Sequence, residues 1–143
     1  MTMKSKELKI EALVDAVGNL HHIHVPSSLA YQIRSPLLIK SFAKPGKHVL
    51  DPEGRRVFPS LLSGYKASVY DMELKVRGQS RAGLKPTDGI RNLLGVYGIK
   101  DLHDVDIVVK FLRYALQDDS ITRDTRLSYF IEEVKNGQSD GNA

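Results

Sequence analysis

The stretch VFPSLLSGYKASVYDMELKVRGQSRAGLKP, residues 57–86, carries the strongest structural signal in the sequence. Its first part places apolar side chains every three or four residues, which is the spacing of an amphipathic helix. These side chains are Phe58, Leu61, Leu62, Tyr65, Val69, Met72 and Val76. Ser60 is a suitable N-cap and Gly78 a suitable stop. The second part, RGQSRAGLKP, has no periodicity, and its glycines and proline predict a structured connector with a basic surface.

Further helices are predicted on both sides of this stretch. The predicted segments run from Ser5 to Val17, closed by Gly18-Asn19; from a cap at Thr87 to Gly98; from a cap at Asp104 to Ala115; and from about Asp124 to Asn136-Gly137. The third of them should bury Ile107, Val108, Phe111, Leu112 and Ala115, and the last Leu127, Phe130, Ile131 and Val134. The final residues QSDGNA are typical of a frayed tail.

The remaining segments predict a minor β component. LHHIHV alternates weakly and suggests a half-exposed strand, whereas SLAYQIRSPLLIKSFAKPGK suggests a short helix and an irregular buried segment. KHVLDPEGRRVF predicts a hairpin, because Asp51-Pro52-Glu53-Gly54 suits a tight turn. We therefore expect a mainly α (α+β) fold with one small β-hairpin, as a single domain over residues 1–143.

The charge of the chain is unevenly distributed. Residues 40–91 carry eleven Lys/Arg against five Asp/Glu, a balance of +6, whereas residues 92–143 carry six against nine, a balance of −3. A basic middle either meets an anionic partner or is ordinary solvated surface. No apolar run is long enough for a signal peptide or a membrane span, so we expect synthesis in the cytoplasm.

Several kinds of chemistry lack a motif in this sequence. There are no cysteines, which excludes thiolate catalysis and disulfides, and no Walker A, GxGxxG or GxSxG pattern. His22 and His24 would share one face of a strand, but no third ligand accompanies them, so we expect neither a metal nor another cofactor.

Glycosidic cleavage needs only one or two placed carboxyl groups and no strict local motif. The candidate acids are Glu11 and Asp15 on the first helix, and Glu132 and Glu133 on the last. The simpler interpretation of each is an ordinary polar helix face.

Nucleic-acid binding is suggested by scattered cations, because arginine forks suit phosphate groups. These cations are Arg55, Arg56, Lys66, Lys75, Arg77, Arg81 and Lys85. No helix-turn-helix pattern or aromatic platform accompanies them, so the signal is generic.

The segment DPEGRRVFPSLLSGYKASVYDMELKVRGQSRAGLKPTDGIRNLLGVYGI resembles the middle of the lysozyme-like domains of tailed-phage virion and muralytic proteins. The matching residues are Phe58, Pro59, Ser60, Gly64, Tyr65, Gly78, Ser80, Arg81, Gly83, Leu84, Pro86, Leu93, Leu94, Val96 and Tyr97. With the later helix DVDIVVKFLRYAL, the resemblance covers about residues 29–137. It implies a lysozyme-like helical fold and peptidoglycan or other virion proteins as partners.

The chain departs from this family where polar residues would act. The family's Asn-Pro-Gly-Asn motif corresponds to AYQIRSPLLIK, and its Pro-x-x-Glu-Asn-Asp-Thr motif to IKDLHDVD, of which only Asp104 remains. A common Glu-Asn-Gly becomes Lys135-Asn136-Gly137, and lysine is not a usual glycosidic acid at neutral pH. The resemblance therefore supports the fold more strongly than the activity.

Three functional hypotheses follow. The first is a phage- or prophage-derived structural or accessory virion component with weakened or lost peptidoglycan cleavage. The second is an active peptidoglycan hydrolase or lytic transglycosylase that uses Glu11, Glu132 or Glu133, and the third is a basic nucleic-acid-binding module that uses Arg77 and Arg81. The candidate binding residues for a substrate or partner are Arg34, Arg55, Arg56, Tyr65, Arg77 and Arg81.

Overall fold

The computed structural model describes residues 5–40 and 49–131. Its helices are α1 (Ser5–Leu20), α2 (Leu29–Ile33), α3 (Leu61–Val76), α4 (Ile90–Val96) and α5 (Leu102–Leu116). Its strands are β1 (Val49–Leu50) and β2 (Arg56–Val57), and a 3-10 helix spans Leu127–Phe130. The predicted mainly α class with a minor β element is therefore confirmed.

Helix α1 lies at the centre of the packing, between α3 and α5. Its buried face supplies Ile10, Leu13, Val14 and Val17, and the other helices add Met72, Val76, Leu93, Leu94, Val108 and Leu112. Removal of this apolar surface from water is the main favourable term in folding. Among the described residues, no helix is both long enough and apolar enough to cross a membrane.

Helix α3 begins as the sequence predicts, at the Ser60 cap. The Ser60 hydroxyl accepts a hydrogen bond from the Ser63 backbone N–H at 3.0 Å, and the Ser63 hydroxyl accepts one from the Ser60 N–H at 3.2 Å. This reciprocal capping satisfies N–H groups that the first turn of a helix leaves without partners. The predicted hairpin is also confirmed, with Val49 opposite Val57 and a tight turn at Gly54 (φ 85°).

A close backbone contact fixes the start of α3 against the segment that follows α2. A Cβ atom added at Gly64 would lie 1.6 Å from the Arg34 carbonyl oxygen, so the two backbones touch where only glycine fits. The neighbouring chain is held by two hydrogen bonds, from the Phe58 N–H to the Ile33 carbonyl (3.0 Å) and from the Arg56 N–H to the Ile39 carbonyl (2.7 Å). The segment 33–39 therefore joins α2, the hairpin and α3.

Two predicted helix starts are wrong. Helix α5 is capped by Asp101, whose carboxylate accepts from the His103 N–H at 2.7 Å, and not by Asp104. Its buried face therefore includes Val105 and Val109, whereas Ala115 is exposed. Helix α4 begins after Gly89 and not at Thr87, because the backbone of residues 88–91 pairs with residues 123–127.

Two other predicted segments also differ from the structure. Residues 21–24 form a turn rather than a strand, with His22 in the left-handed region (φ 61°), and α1 continues past the predicted Gly18-Asn19 stop to Leu20. The last predicted helix is wrong over its described part, where residues 124–131 contain only the 3-10 helix Leu127–Phe130. Leu127 and Phe130 are buried as expected, whereas Ile131 is only partly buried. Val134 and the Asn136-Gly137 stop lie outside the described residues.

We predict that Gly64→Ala destabilises the protein by about 3 kcal/mol, because the new methyl group overpacks a backbone contact that must then shift. Gly95→Ala is the matched control, since it also lies within a helix but a Cβ there meets nothing within 4 Å. That control should gain up to about 1 kcal/mol. Chemical denaturation of both variants measures the difference. Equal effects would contradict the proposed contact.

Candidate functional site

A groove of about 530 Å³ opens between α1, the turn that follows it, the first turn of α3 and α5. Its polar lining includes Asp15, Asn19 and His24, and its aromatic walls are Tyr31, Tyr65 and Phe111. We call it the Asp15 groove. Its volume lies within the range of about 300–1,000 Å³ that small-molecule sites occupy.

The turn that follows α1 forms one wall of the Asp15 groove, and close local contacts hold it in place. The His21 Nδ1–H donates to the Pro36 carbonyl at 2.9 Å, and burial lowers the pKa of this imidazole. A Cβ at Gly18 would lie 3.1 Å from the Pro36 side chain, so helix and segment approach closely there. The Ile23 N–H donates back to the Gly18 carbonyl at 2.9 Å. These contacts fold the chain back and bring His24 to the groove.

Asp15 and Tyr65 form the polar centre of the groove. The Tyr65 hydroxyl lies near enough to the Asp15 carboxylate to lower its pKa as a hydrogen-bond donor, since the carboxylate has only acceptor atoms. Burial raises the pKa of Asp15, while the Tyr65 hydroxyl and the charge of His24 act in the opposite direction. Burial and the charges of Asp15 and Glu11 raise the pKa of Tyr65. The groove therefore presents a carboxylate beside a protonated phenol.

This arrangement is better suited to accept hydrogen bonds than to donate a proton. A glycosidic acid must hold a proton at the working pH, which usually requires an apolar setting without donors to its charged form. Tyr65 is such a donor, and its hydroxyl opposes the rise in the Asp15 pKa that burial causes. Among the described residues, Asp15 is also the only carboxylate that lines the groove.

The predicted acids occupy different places. Glu11 lies one turn before Asp15 on α1, half-buried, close enough for its charge to act on Tyr65, but it does not line the groove. Glu132 and Glu133 lie outside the described residues. The structure thus brings Glu11 and Tyr65 close to Asp15. The sequence alone indicates only that Asp15 and Glu11 lie on the same helix.

Most of the candidate arginines make contacts within the fold and do not line the groove. Arg34 donates to the Phe58 carbonyl at 3.2 Å, and Arg56 lies 5.0 Å from the Phe58 ring centroid. Arg55 pairs with Asp51 at 3.3 Å, and Arg77 pairs with Glu73 at 2.9 Å. Arg81 lies in a separate groove beside the end of α3. Of the predicted binding residues, only Tyr65 therefore lines the Asp15 groove.

Three lining residues were not expected from the sequence. His24 was assigned to a strand, Phe111 to the core of α5, and Tyr31 only to the family-like segment. These three residues belong to different elements, which come together around Asp15 only in the folded chain. No local sequence pattern therefore connects them. Within residues 5–40 and 49–131, no three His, Asp or Glu side chains come together as a metal site.

No protein-family model, curated protein or solved structure matches this chain. The resemblance to lysozyme-like phage domains therefore remains a prediction from the residues quoted above. The chemistry of the Asp15 groove has to be inferred from its own side chains.

We predict that Asp15→Asn raises the melting temperature at pH 7 and that this gain disappears as the pH falls below about 4. The reason is that a carboxyl whose folded pKa is raised favours folding below its unfolded pKa and loses that contribution as the pH rises through the folded pKa. Asparagine still offers an oxygen to the Tyr65 hydroxyl.

Asp106→Asn is the control with the opposite sign. The hydrogen bond from Arg123 holds the pKa of Asp106 below its usual value, so its contribution is present at neutral pH and lost in acid. This variant should melt lower than the parent at pH 7. Thermal melts from pH 3 to pH 7 compare the two, and a lower melting temperature for Asp15→Asn at pH 7 would contradict the account.

Proposed function

We propose that this chain is a phage- or prophage-derived lysozyme-like protein that serves as a structural or accessory virion component. In this proposal the Asp15 groove binds a glycan strand of peptidoglycan, with cleavage weakened or lost. The observation that carries the proposal is the Asp15–Tyr65 pair at the centre of an aromatic-walled groove. The phage origin rests on the residue pattern alone.

The lining of the groove suits a sugar. A pyranose ring has apolar C–H faces and a rim of hydroxyl groups, so it needs flat apolar walls and a few polar contacts at the edge. Tyr31, Tyr65 and Phe111 can supply the walls. Asp15 can accept hydrogen bonds from hydroxyl groups and Asn19 can accept or donate.

The same groove gives limited support for cleavage. A retaining glycosidase places two carboxyl groups about 5–5.5 Å apart across the scissile bond, and an inverting one places them further apart. Here a single carboxylate lines the described groove, and a phenol donates to it. The enzymatic alternative is an active peptidoglycan hydrolase or lytic transglycosylase that uses Glu11, Glu132 or Glu133. Asp15 is a further candidate acid, because burial raises its pKa.

Co-sedimentation with purified peptidoglycan sacculi tests the binding. We expect saturable binding of the parent protein and about tenfold weaker binding of Asp15→Ala, since a hydrogen bond to a charged group contributes about 1.5–3 kcal/mol. Asp106→Ala, which removes a carboxylate outside the groove, should bind like the parent. Equal binding by all three proteins would contradict a glycan site at Asp15.

Release of soluble muropeptides from the same sacculi tests the loss of cleavage. We expect little or no release over hours at pH 5–7. Rapid release that is abolished by Asp15→Asn, by Glu11→Gln or by the double change Glu132→Gln and Glu133→Gln would establish an active enzyme. The virion role has a separate readout, because the protein should be found in purified particles and not only in the surrounding lysate.

A further inference from the structure

A second groove, of about 820 Å³, lies beside the C-terminal half of α3. Its walls come from residues 37–40, from α3 and the loop after it, and from residues 96–98. We call it the Arg81 groove. The two grooves share one segment, since Pro36 lines the first and Leu37 begins the wall of the second. Neither the glycan proposal nor the fold requires this second groove.

The charged groups of the Arg81 groove are unbalanced. Among the described residues, its lining has three cations, Lys40, Lys75 and Arg81, against one carboxylate, Asp71, which leaves a balance of +2. Asp71 is compensated on one oxygen, Oδ2, which accepts from the Lys75 ammonium and from the Tyr97 hydroxyl, both at 2.6 Å. The side chains of Asp71 and Lys75 are each only 14% exposed. The remaining positive charge is therefore that of Lys40 and Arg81, both exposed.

The loop that carries Arg81 is held in place by its backbone. Gly78 adopts φ 75°, and a Cβ there would lie 3.0 Å from the Leu84 carbonyl oxygen. The Gln79 N–H donates to the Leu74 carbonyl at 2.9 Å, and the Ala82 N–H donates to the Ser80 hydroxyl at 3.1 Å. Arg81 is thus presented from an ordered loop, and it forms no ion pair with any described residue.

Apart from Gln79 and Ser80, the uncharged side chains of the groove are largely apolar. Leu37, Ile39, Leu74 and Val96 line it together with the ring of Tyr97. A guanidinium group binds phosphate and carboxylate oxygens in a two-point fork, and apolar walls favour a ligand with an apolar body. A free inorganic ion would satisfy only the cations.

We propose that the Arg81 groove binds a small organic anion, in which a phosphate or carboxylate group meets Arg81 and Lys40 and an apolar group rests against Leu74 and Tyr97. The ligand thus has two parts, and both are needed for binding. The site is independent of the Asp15 groove.

Titration followed by amide NMR, with four probes, tests the proposal. Phenyl phosphate and benzoate carry both parts, inorganic phosphate lacks the apolar body, and benzyl alcohol lacks the charge. We expect at least one of the first two to bind at least fivefold more tightly than the last two, with shifts centred on residues 79–82 and 96–98. The tighter binder of phenyl phosphate and benzoate indicates whether the natural ligand carries a phosphate or a carboxylate group.

Arg81→Gln should weaken that binding at least fivefold, and 0.5 M NaCl should weaken it in the parent. Arg77→Gln is the matched control, because Arg77 lies four residues away, pairs with Glu73 and does not line the groove; its affinity should stay within twofold. Both variants should keep the parent's spectrum elsewhere, since neither side chain is buried. Equal affinity of Arg81→Gln and the parent, or equal binding of benzyl alcohol, would overturn the proposal.

Discussion

The contact between Gly64 and the Arg34 carbonyl is the constraint on which the rest of the structure depends. The two backbones touch there, so the first turn of α3, which begins after the Ser60 cap, packs directly against the segment that follows α2. The next residue, Tyr65, is then directed at α1 and meets Asp15. Hydrogen bonds from the Arg56 and Phe58 N–H groups hold the chain before α3 against the same segment. The glycine-tyrosine pair in the sequence thus combines a steric requirement with a polar contact.

The Asp15 groove is a consequence of this packing rather than an addition to it. Tyr65 forms a wall of the groove and also donates to Asp15, so the same phenol that organises the site stabilises the charged carboxylate. A carboxylate with such a donor beside it can accept hydrogen bonds from hydroxyl groups, although burial raises its pKa. The proposal of glycan binding without cleavage rests on the described groove, in which Asp15 is the only lining carboxylate.

The sequence predicted best those elements that carry more than one local signal. Helix α3 combines a helical spacing of apolar residues with an N-cap and a terminating glycine. The hairpin is marked by a sequence that is typical of a tight turn. The start of α5 was predicted at the wrong residue because Asp101 and Asp104 are both suitable caps. The helix that is capped by Asp101 buries Val105 and Val109, and the local sequence does not show that these residues are buried.

The site was less predictable than the fold. Asp15 appeared as one of several carboxylates on polar helix faces, and Tyr65 as one of several candidate binding residues. Their pairing is a tertiary event between α1 and α3. The turn that places His24 depends on a left-handed His22, a conformation that few non-glycine residues adopt even though histidine is among those enriched in it.

Mapping a soluble glycan onto the protein tests the central claim most directly. Amide NMR with a chitotriose probe, which carries the N-acetylglucosamine units of peptidoglycan, should show saturable shifts at Asp15, His24, Tyr31 and Tyr65, with the trisaccharide intact after the titration. Shifts that avoid these residues would contradict glycan recognition by the Asp15 groove. Disappearance of the trisaccharide with these shifts would contradict the loss of cleavage.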